Sequence, residues 1–536
     1  MSLWFALSPL IVLSIGVLAL MMADAFSTEK SDLALGACVT FLSAGVFALA
    51  IWIMGGVPAE VAAKVAPYIV LDRFTLFFQA TLCLGGAISS LLAGGYLPEH
   101  GLDRGEFYAL LLLSTIGAIL LAAAGDFLAL FIGLETMSLG VYCMTAFRRT
   151  NARSAEGGMK YFLLGSFAAA LMLYGIALLY GATGATSLVA IRDALTNDAA
   201  HVVDKGTSIV GYGSRFDPSR VATVVIAMGL VLVGLAFKIS AVPFHMWTPD
   251  AYQGAPTPAT AFMSVVVKGA AVATMMRVML VAFGDKASAS WASGWPPIVA
   301  ALAIVTMVVA NLIALRQESV KRMLAYSSIA HAGYLLVGLV AAWGQGGGVG
   351  ASEGRAALLF YMLQYTVTQA GAFGALILCG SKGREAVSYE DLSGLGRRHP
   401  AAALPLALFC LSLAGIPPTA GFFGKMYLFR AAIDGGFSWL AVIGLLNSAL
   451  GAYYYLRVLV FLYMKEPAPG AAKAVPMRSG YVNAALVLSA ALVLYFGLAP
   501  GRSLDMASSA GASLGAAPAS SSAEVGAAAP APAPTP

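Results

Sequence analysis

The sequence predicts an all-α polytopic membrane protein of about 14 transmembrane helices, with two inverted five-helix repeats that each contain a broken helix. Three observations carry this reading. Apolar residues make up 60% of the 536 residues and charged residues only 11%, with a mean hydropathy of +0.83. Soluble domains carry about 25% charged residues. Apolar stretches of about 20 residues, the length that crosses a bilayer core as a helix, recur along the chain. Two of them are over-long and interrupted by proline. This composition excludes an ordinary cytosolic enzyme, a disordered chain and a nucleic-acid binder. The net charge of +5 is too dilute to form a phosphate-binding face.

In order, the stretches run over 5–22, 34–54, 74–94, 107–124, 127–147, 160–182, 221–247, 256–282, 296–315, 323–343, 355–379, 404–430, 437–463 and 480–499. Met1 to Ala6 holds no Lys or Arg, so the first stretch reads as a retained helix rather than a signal peptide. With the N-terminus outside, inner loops hold 15 Lys and Arg and outer loops 10, which favours both termini outside the cytoplasm. The loop 183–220 carries Asp193, Asp198, His201, Asp204 and Asp217 and reads as a solvent-exposed connection. The stretch 507–536 is rich in Ala, Ser and Pro and reads as a flexible tail. The domains are then 1–104 (three helices), 105–282 and 296–463 (the two repeats), 464–506 (a last helix) and 507–536.

The interrupted segments are Val221 to Trp247, with Pro243, and Leu404 to Arg430, with Gly415-Ile416-Pro417-Pro418. Proline removes an intrahelical hydrogen bond. In lipid such a break survives only against protein or a water-filled cavity. Two breaks in corresponding places of two halves are the pattern of an inverted-repeat transporter.

Five titratable residues inside these apolar stretches stand out. Glu135 lies nine residues past Asp126, roughly 13 Å into its span. A central charge costs about 2.5–3.5 kcal/mol on insertion scales, and a nearby opposite charge offsets that cost. Glu135 is therefore a candidate proton holder; the bland alternative is a carboxyl that glues helices. Lys238 stands five residues before Pro243, beside the free carbonyls of a break, where the alternative is snorkelling to an interface. Lys268 is flanked by about two apolar turns on each side, which makes snorkelling hard. Lys425 follows Pro418 by seven residues and is the counterpart of Lys238. His331 can relay protons or serve as a satisfied helical polar group. Glu135 precedes Lys238 by 103 residues and His331 precedes Lys425 by 94, which supports the repeat. Lys160, Arg277 and Arg457 read as helix-end cations, and Asp126 as a helix cap.

The five cysteines (Cys38, Cys83, Cys143, Cys379, Cys410) form no C-x-x-C pair, so no iron–sulfur or zinc site is expected. No nucleotide loop or bis-histidine haem pair appears, and Gly344 to Gly354 follows no strand. The chain is expected to carry no redox centre.

The blocks FIGLETMSLGVYCMTAFRR, KYFLLGSFAAALMLYGIALLYGATG, GLAFKISAVPFHMWTPDAYQGAPTPATAF, KRMLAYSSIAHAGYLLVG and GIPPTAGFFGKMYLF resemble, in order, the antiporter-like membrane subunits of respiratory complex I. The resemblance covers about 105–465. Within that family the chain is most similar to the N-type members. It lacks the long C-terminal lateral helix of the L type, and it has Lys425 where the M type carries glutamate.

The resemblance implies proton translocation coupled to NADH oxidation and quinone reduction elsewhere. Glu135 would be the fifth-helix carboxylate that modulates Lys238 on the seventh. Lys268 would be the central lysine, His331 the bridging tenth-helix residue, and Lys425 the terminal proton donor. NADH, flavin, iron–sulfur clusters and quinone would sit in partner subunits, with no cofactor in this chain. The M-type subunit and the small K-, J- and A-type subunits would be its neighbours in a bacterial inner membrane. The alternatives are a subunit of a multisubunit cation/proton antiporter or of a membrane-bound hydrogenase.

Overall fold

A computed structural model describes residues 1–26, 31–196, 218–344, 349–381, 383–467 and 475–514. The principal helices are α1 (Ser8–Phe26), α2 (Ser31–Ile53), α3 (Arg73–Glu99), α4 (Glu106–Ala123), α5 (Phe127–Thr145), α6 (Ala152–Thr183) and α7 (Pro218–Ile239). They continue with α8 (Trp247–Gly254), α9 (Thr257–Ala282), α10 (Trp295–Ala314), α11 (Val320–Trp343) and α12 (Val349–Leu378). The last are α13 (Pro400–Ala414), α14 (Ala420–Asp434), α15 (Ser438–Tyr463), α16 (Gly480–Leu498) and α17 (Gly501–Ser513).

Among the described residues, 12 helices are long and apolar enough to cross a membrane. Two of the 14 expected stretches fall short of that test. The stretch 355–379 lies in the 30-residue α12, whose apolar run is diluted by Glu353, Arg355, Gln364 and Gln369. The stretch 404–430 is cut into α13 and α14, each of 15 residues.

The core lies along α9, α11 and α3. In α9, 94% of the most apolar window is buried, in α11 100% and in α3 89%, against 28% in α1. A helix apolar on all sides and buried on all sides belongs at the centre of a bundle; α1 and α2 sit at its rim. The central helices are therefore where an ionisable side chain is furthest from lipid headgroups and water.

Both expected breaks are present, and both close in the same way. At the end of α7, Ser240 adopts φ 65°, its N–H donates to Phe237 O, and Ala241 N–H reaches back to Ala236 O at 2.8 Å. At the end of α13, Gly415 adopts φ 86°, and Ile416 N–H reaches back to Leu411 O at 3.1 Å. A left-handed residue followed by a bond five residues back is the usual closure of a helix C-terminus. Proline two or three residues later prevents the helix from resuming in register. α9 is irregular too, with π-helical turns at Met263–Val267 and Val278–Ala282; such turns are frequent at functional sites.

The expected tail begins later than the composition indicates. α17 runs past 507 to Ser513, because Ser503, Ala507, Ala510 and Gly511 are buried against the bundle. Its Ser513 Oγ accepts the N–H of Phe74 at 2.9 Å, and Ser509 Oγ accepts from Arg73 at 2.7 Å. Residues 515–536, and with them most of that stretch, lie outside the described residues, as do Asp198, His201, Asp204 and Asp217.

Candidate functional site

The first group forms where α7 ends. Lys238 is 3% exposed and occupies the last turn of α7. Its Nζ donates to Ser138 Oγ at 2.7 Å and to Tyr142 Oη at 3.4 Å. The ammonium lies 5.3 Å from the ring centre of Tyr142 and 5.5 Å from that of Tyr161, within cation–π range. Ser138 and Tyr142 are one turn apart on α5, and Glu135 is one turn before Ser138 on the same helix. Glu135 is half-buried. Among the described residues it makes no ion pair within 4 Å, and its carboxylate acts on Lys238 through space. Ser138 is thus the direct partner of Lys238, and Glu135 an electrostatic neighbour.

The second group lies at mid-depth between α9, α11, α12 and α15. Lys268, 1% exposed, follows the first π turn of α9. It donates to the carbonyl of Ser328 and, at 2.6 Å, to Ser328 Oγ. Tyr365 Oη also donates to Ser328 Oγ, at 2.9 Å. One turn further along α11, His331 is 2% exposed, with Nδ1 2.5 Å from Tyr361 Oη and Nε2 3.2 Å from Tyr455 Oη. Tyr455 Oη bonds Ser327 Oγ as well. The rings of His331 and Tyr365 are 5.0 Å apart, and those of His331 and Tyr334 5.5 Å.

The third group is the second break. Lys425, 7% exposed, points back from α14 to the end of α13. Its Nζ donates to Leu413 O at 2.8 Å, Ala414 O at 3.0 Å and Ser448 Oγ at 2.8 Å. Leu413 and Ala414 are two of the last four carbonyls of α13, which no helical N–H can reach; the ammonium satisfies both. Lys425 also stands 5.3 Å from the ring centre of Tyr334. The lysines at the two breaks therefore differ. Lys238 sits before its break and turns to α5, whereas Lys425 sits after its break and fills it.

A fourth cluster was not anticipated. Where α5 stops and α9 and α11 start, Glu385 accepts from Lys321 at 3.1 Å, Thr257 at 2.9 Å, Arg148 at 3.4 Å and Tyr96 Oη. Lys321 also donates to Ala255 O at 2.8 Å. Burial alone would raise the Glu385 carboxyl, but Lys321 and Arg148, helped by the Tyr96 and Thr257 hydroxyls, hold it down to about 2. Two further charges given bland readings are engaged. Arg277 is buried and bidentate to Asp72 at 3.0 and 3.1 Å, and Lys160 pairs with Asp250 at 2.8 Å. Asp126 caps α5 by accepting from Leu128 N–H, as expected.

The five singled-out residues are thus distributed over three polar groups, with His331 bridging toward Lys425 through Tyr334. Sequence reasoning missed their hydroxyl partners. Ser138 and Tyr142 (three and seven residues after Glu135), Ser327, Ser328 and Tyr334 around His331, and the pair Tyr361 and Tyr365 recur at helical spacing, a signal that was present. Among the described residues no group of three or more His, Cys, Asp or Glu could hold a metal ion.

Buried lysines beside two broken helices in an all-helical bundle define an antiporter-like membrane subunit. Residues 124–451 match the transmembrane family NADH:quinone oxidoreductase/Mrp antiporter. The chain is 61% identical to NADH-quinone oxidoreductase subunit N 1 of Sorangium cellulosum, over 94% of this chain and 97% of that protein. Respiratory complex I from Thermus thermophilus with bound aureothin contains a chain 34% identical, covering 93% of this chain and 99% of that one, with a TM-score of 0.72. The Mrp complex from Dietzia sp. shares the fold at 21% identity and a TM-score of 0.77, over 96% of this chain and 98% of that one. This chain belongs to the subunit N family of NADH-quinone oxidoreductase, the complex I translocase, and is a multi-pass membrane protein.

Proposed function

We propose that the chain translocates protons across a bacterial inner membrane through Glu135, Lys238, Lys268, His331 and Lys425. NADH oxidation, flavin and iron–sulfur electron transfer and quinone reduction take place in partner subunits. The observation that carries this reading is the burial of three lysines and a histidine, each under a tenth exposed, among serine and tyrosine hydroxyls. An intramembrane ionisable residue is a functional candidate by default, and hydroxyls both donate and accept, as a relay requires.

In this reading a change at a neighbouring subunit alters the Glu135 charge and with it the proton affinity of Lys238. Glu135 lies beyond ion-pair distance, so its charge acts with less than the ~4 kcal/mol that contact at 4 Å gives at an effective dielectric of 20. The proton then passes to Lys268, along Ser328, Tyr365 and His331, and leaves from Lys425. The matching closures at Ser240 and Gly415 support a division into repeats 105–282 and 296–463. The neighbours are the M-type and small K-, J- and A-type subunits, with both termini on the periplasmic side.

The test is Lys238→Ala and Lys268→Met in the assembled complex in proteoliposomes, with protons moved per NADH oxidised as the readout. Both variants lower that ratio. Full pumping in both, in complexes that contain the variant chain, refutes the relay.

A further inference from the structure

Among the described residues no hydrogen bond joins the Lys238 group to the Lys268 group across the interval between them. We infer that the hydroxyls of Tyr161 on α6 and Tyr252 on α8, joined by water, carry the proton across that interval. Tyr161 and Tyr252 are then members of the relay itself. The inference rests on the relay reading above.

Four observations support it. Tyr161 is fully buried, yet its Oη has no hydrogen-bond partner among the described residues. Buried hydroxyls of folded proteins are almost always satisfied, by protein or by ordered water. The Lys238 ammonium stands 5.5 Å from the Tyr161 ring centre, so the lysine and this hydroxyl belong to one neighbourhood. Tyr142, which Lys238 touches, meets the Tyr161 ring at 4.8 Å, and the Tyr252 ring lies 6.1 Å from Trp247, on which Tyr161 stacks. Tyr252 in turn neighbours Ser328, the residue to which Lys268 donates. The polar side chains therefore follow in the order Lys238, Tyr161, Tyr252, Ser328, Lys268, with water required on both sides of the orphaned hydroxyl and beside Tyr252.

The surrounding packing fixes this geometry. The Tyr161 ring stacks on Trp247 at 3.9 Å with an interplanar angle of 2°, and the edge of Tyr142 meets it at 4.8 Å. Trp247 Nε1 donates to Phe237 O, a carbonyl of the turn that carries Lys238. The broken helix and the Tyr161 ring are thus locked together, and the hydroxyl keeps its place relative to Lys238.

The transfer balances. The Lys238 ammonium breaks one N–H bond and becomes an amine. Each oxygen along the bridge takes one proton and passes one on, so both phenols end neutral. The Lys268 amine forms the new N–H bond and becomes an ammonium.

Tyr161→Phe tests this, because it keeps the ring, the stack on Trp247 and the cation–π contact and removes only the hydroxyl. In the assembled complex in proteoliposomes, Y161F lowers protons moved per NADH oxidised to the level of Lys268→Met, while its melting temperature stays at the wild-type value. Tyr252→Phe does the same. A Y161F or Y252F complex that pumps as wild type while Lys268→Met is impaired overturns this inference and leaves the relay reading standing. Wild-type pumping in all three refutes the relay reading itself. If Y161F melts lower than wild type, its pumping ratio is compared with that of Tyr161→Leu: equal loss in both supports the hydroxyl, and greater loss in the leucine variant alone assigns Tyr161 to packing.

Discussion

Replacing Glu385 by glutamine tests whether one carboxylate pins the end of the bundle at which α9 and α11 begin. Glu385 gathers Lys321, Arg148, Thr257 and Tyr96 from four separate parts of the chain. Its carboxyl is held near 2 instead of the usual 4.5, which is worth about 3 kcal/mol of stability at neutral pH. A second route gives a similar figure. Glutamine leaves Lys321, 1% exposed, without a counter-charge, and breaking one side of a buried pair costs about 3–5 kcal/mol. The Glu385 side chain is 17% exposed, so the lower end of that range applies.

With an unfolding entropy of about 2.1 cal/mol/K per residue over 536 residues, 3 kcal/mol lowers the melting temperature by about 3 °C. The assay is thermal melting of the detergent-solubilised complex. The sign with pH follows from a carboxyl held below its ordinary value. The advantage of wild type over E385Q is complete above about pH 4.5 and disappears as pH falls toward 2. The double variant with Lys321→Met removes the stranded cation and loses less than the two single losses added together. A pH 7 melting curve for E385Q that superimposes on wild type, with the double variant no different from either single, would refute the reasoning.

Three further outcomes follow from the same structure. Gly415→Ala forces a side chain into a left-handed backbone, a cost of about 1–2 kcal/mol. It also brings a Cβ to 3.0 Å from Lys425 Cδ, so pumping falls further than melting does; equal effects on both would remove Lys425 from the account. Ser448→Ala removes one of three bonds to Lys425, about 1.5–3 kcal/mol for a bond to a charged group. It therefore shifts the pH dependence of pumping, and an unchanged profile counts against a proton-releasing Lys425. Arg277→Met strands Asp72 and lowers the yield of assembled complex, which the double variant with Asp72→Asn restores; no restoration would show that the pair is not the cause.

What was readable in the sequence follows from the range of each interaction. The breaks at Pro243 and Pro417-Pro418 are local events, so each proline announces them. The five titratable residues stand out because a charge in an apolar run is rare. The span count was harder. A helix shielded by its neighbours, such as α12, tolerates Gln364 and Gln369, and its composition no longer resembles that of a lipid-facing helix. The hydroxyl partners were half-legible: Ser138 and Tyr142 share a face with Glu135, but nothing local says which lysine they meet. Glu385 was not legible at all. It lies in a loop, and its partners Tyr96, Arg148, Thr257 and Lys321 are between 64 and 289 residues away. The pairing of Arg277 with Asp72, 205 residues apart, is of the same kind. The reading of 507–536 as a tail weighed composition over burial, and small residues such as Ala507 and Ala510 suit a tight helical contact as well as a linker.

The docking of α17 on the start of α3 has a consequence for how the chain is made. The backbone N–H of Phe74 and the guanidinium of Arg73 wait for Ser513 and Ser509, which are translated more than 430 residues later. An early helix that has already entered the bilayer thus lacks these two partners until α17 has been made. Two segments more than 430 residues apart in the chain are joined only then, so this contact forms late, however early the individual spans are inserted.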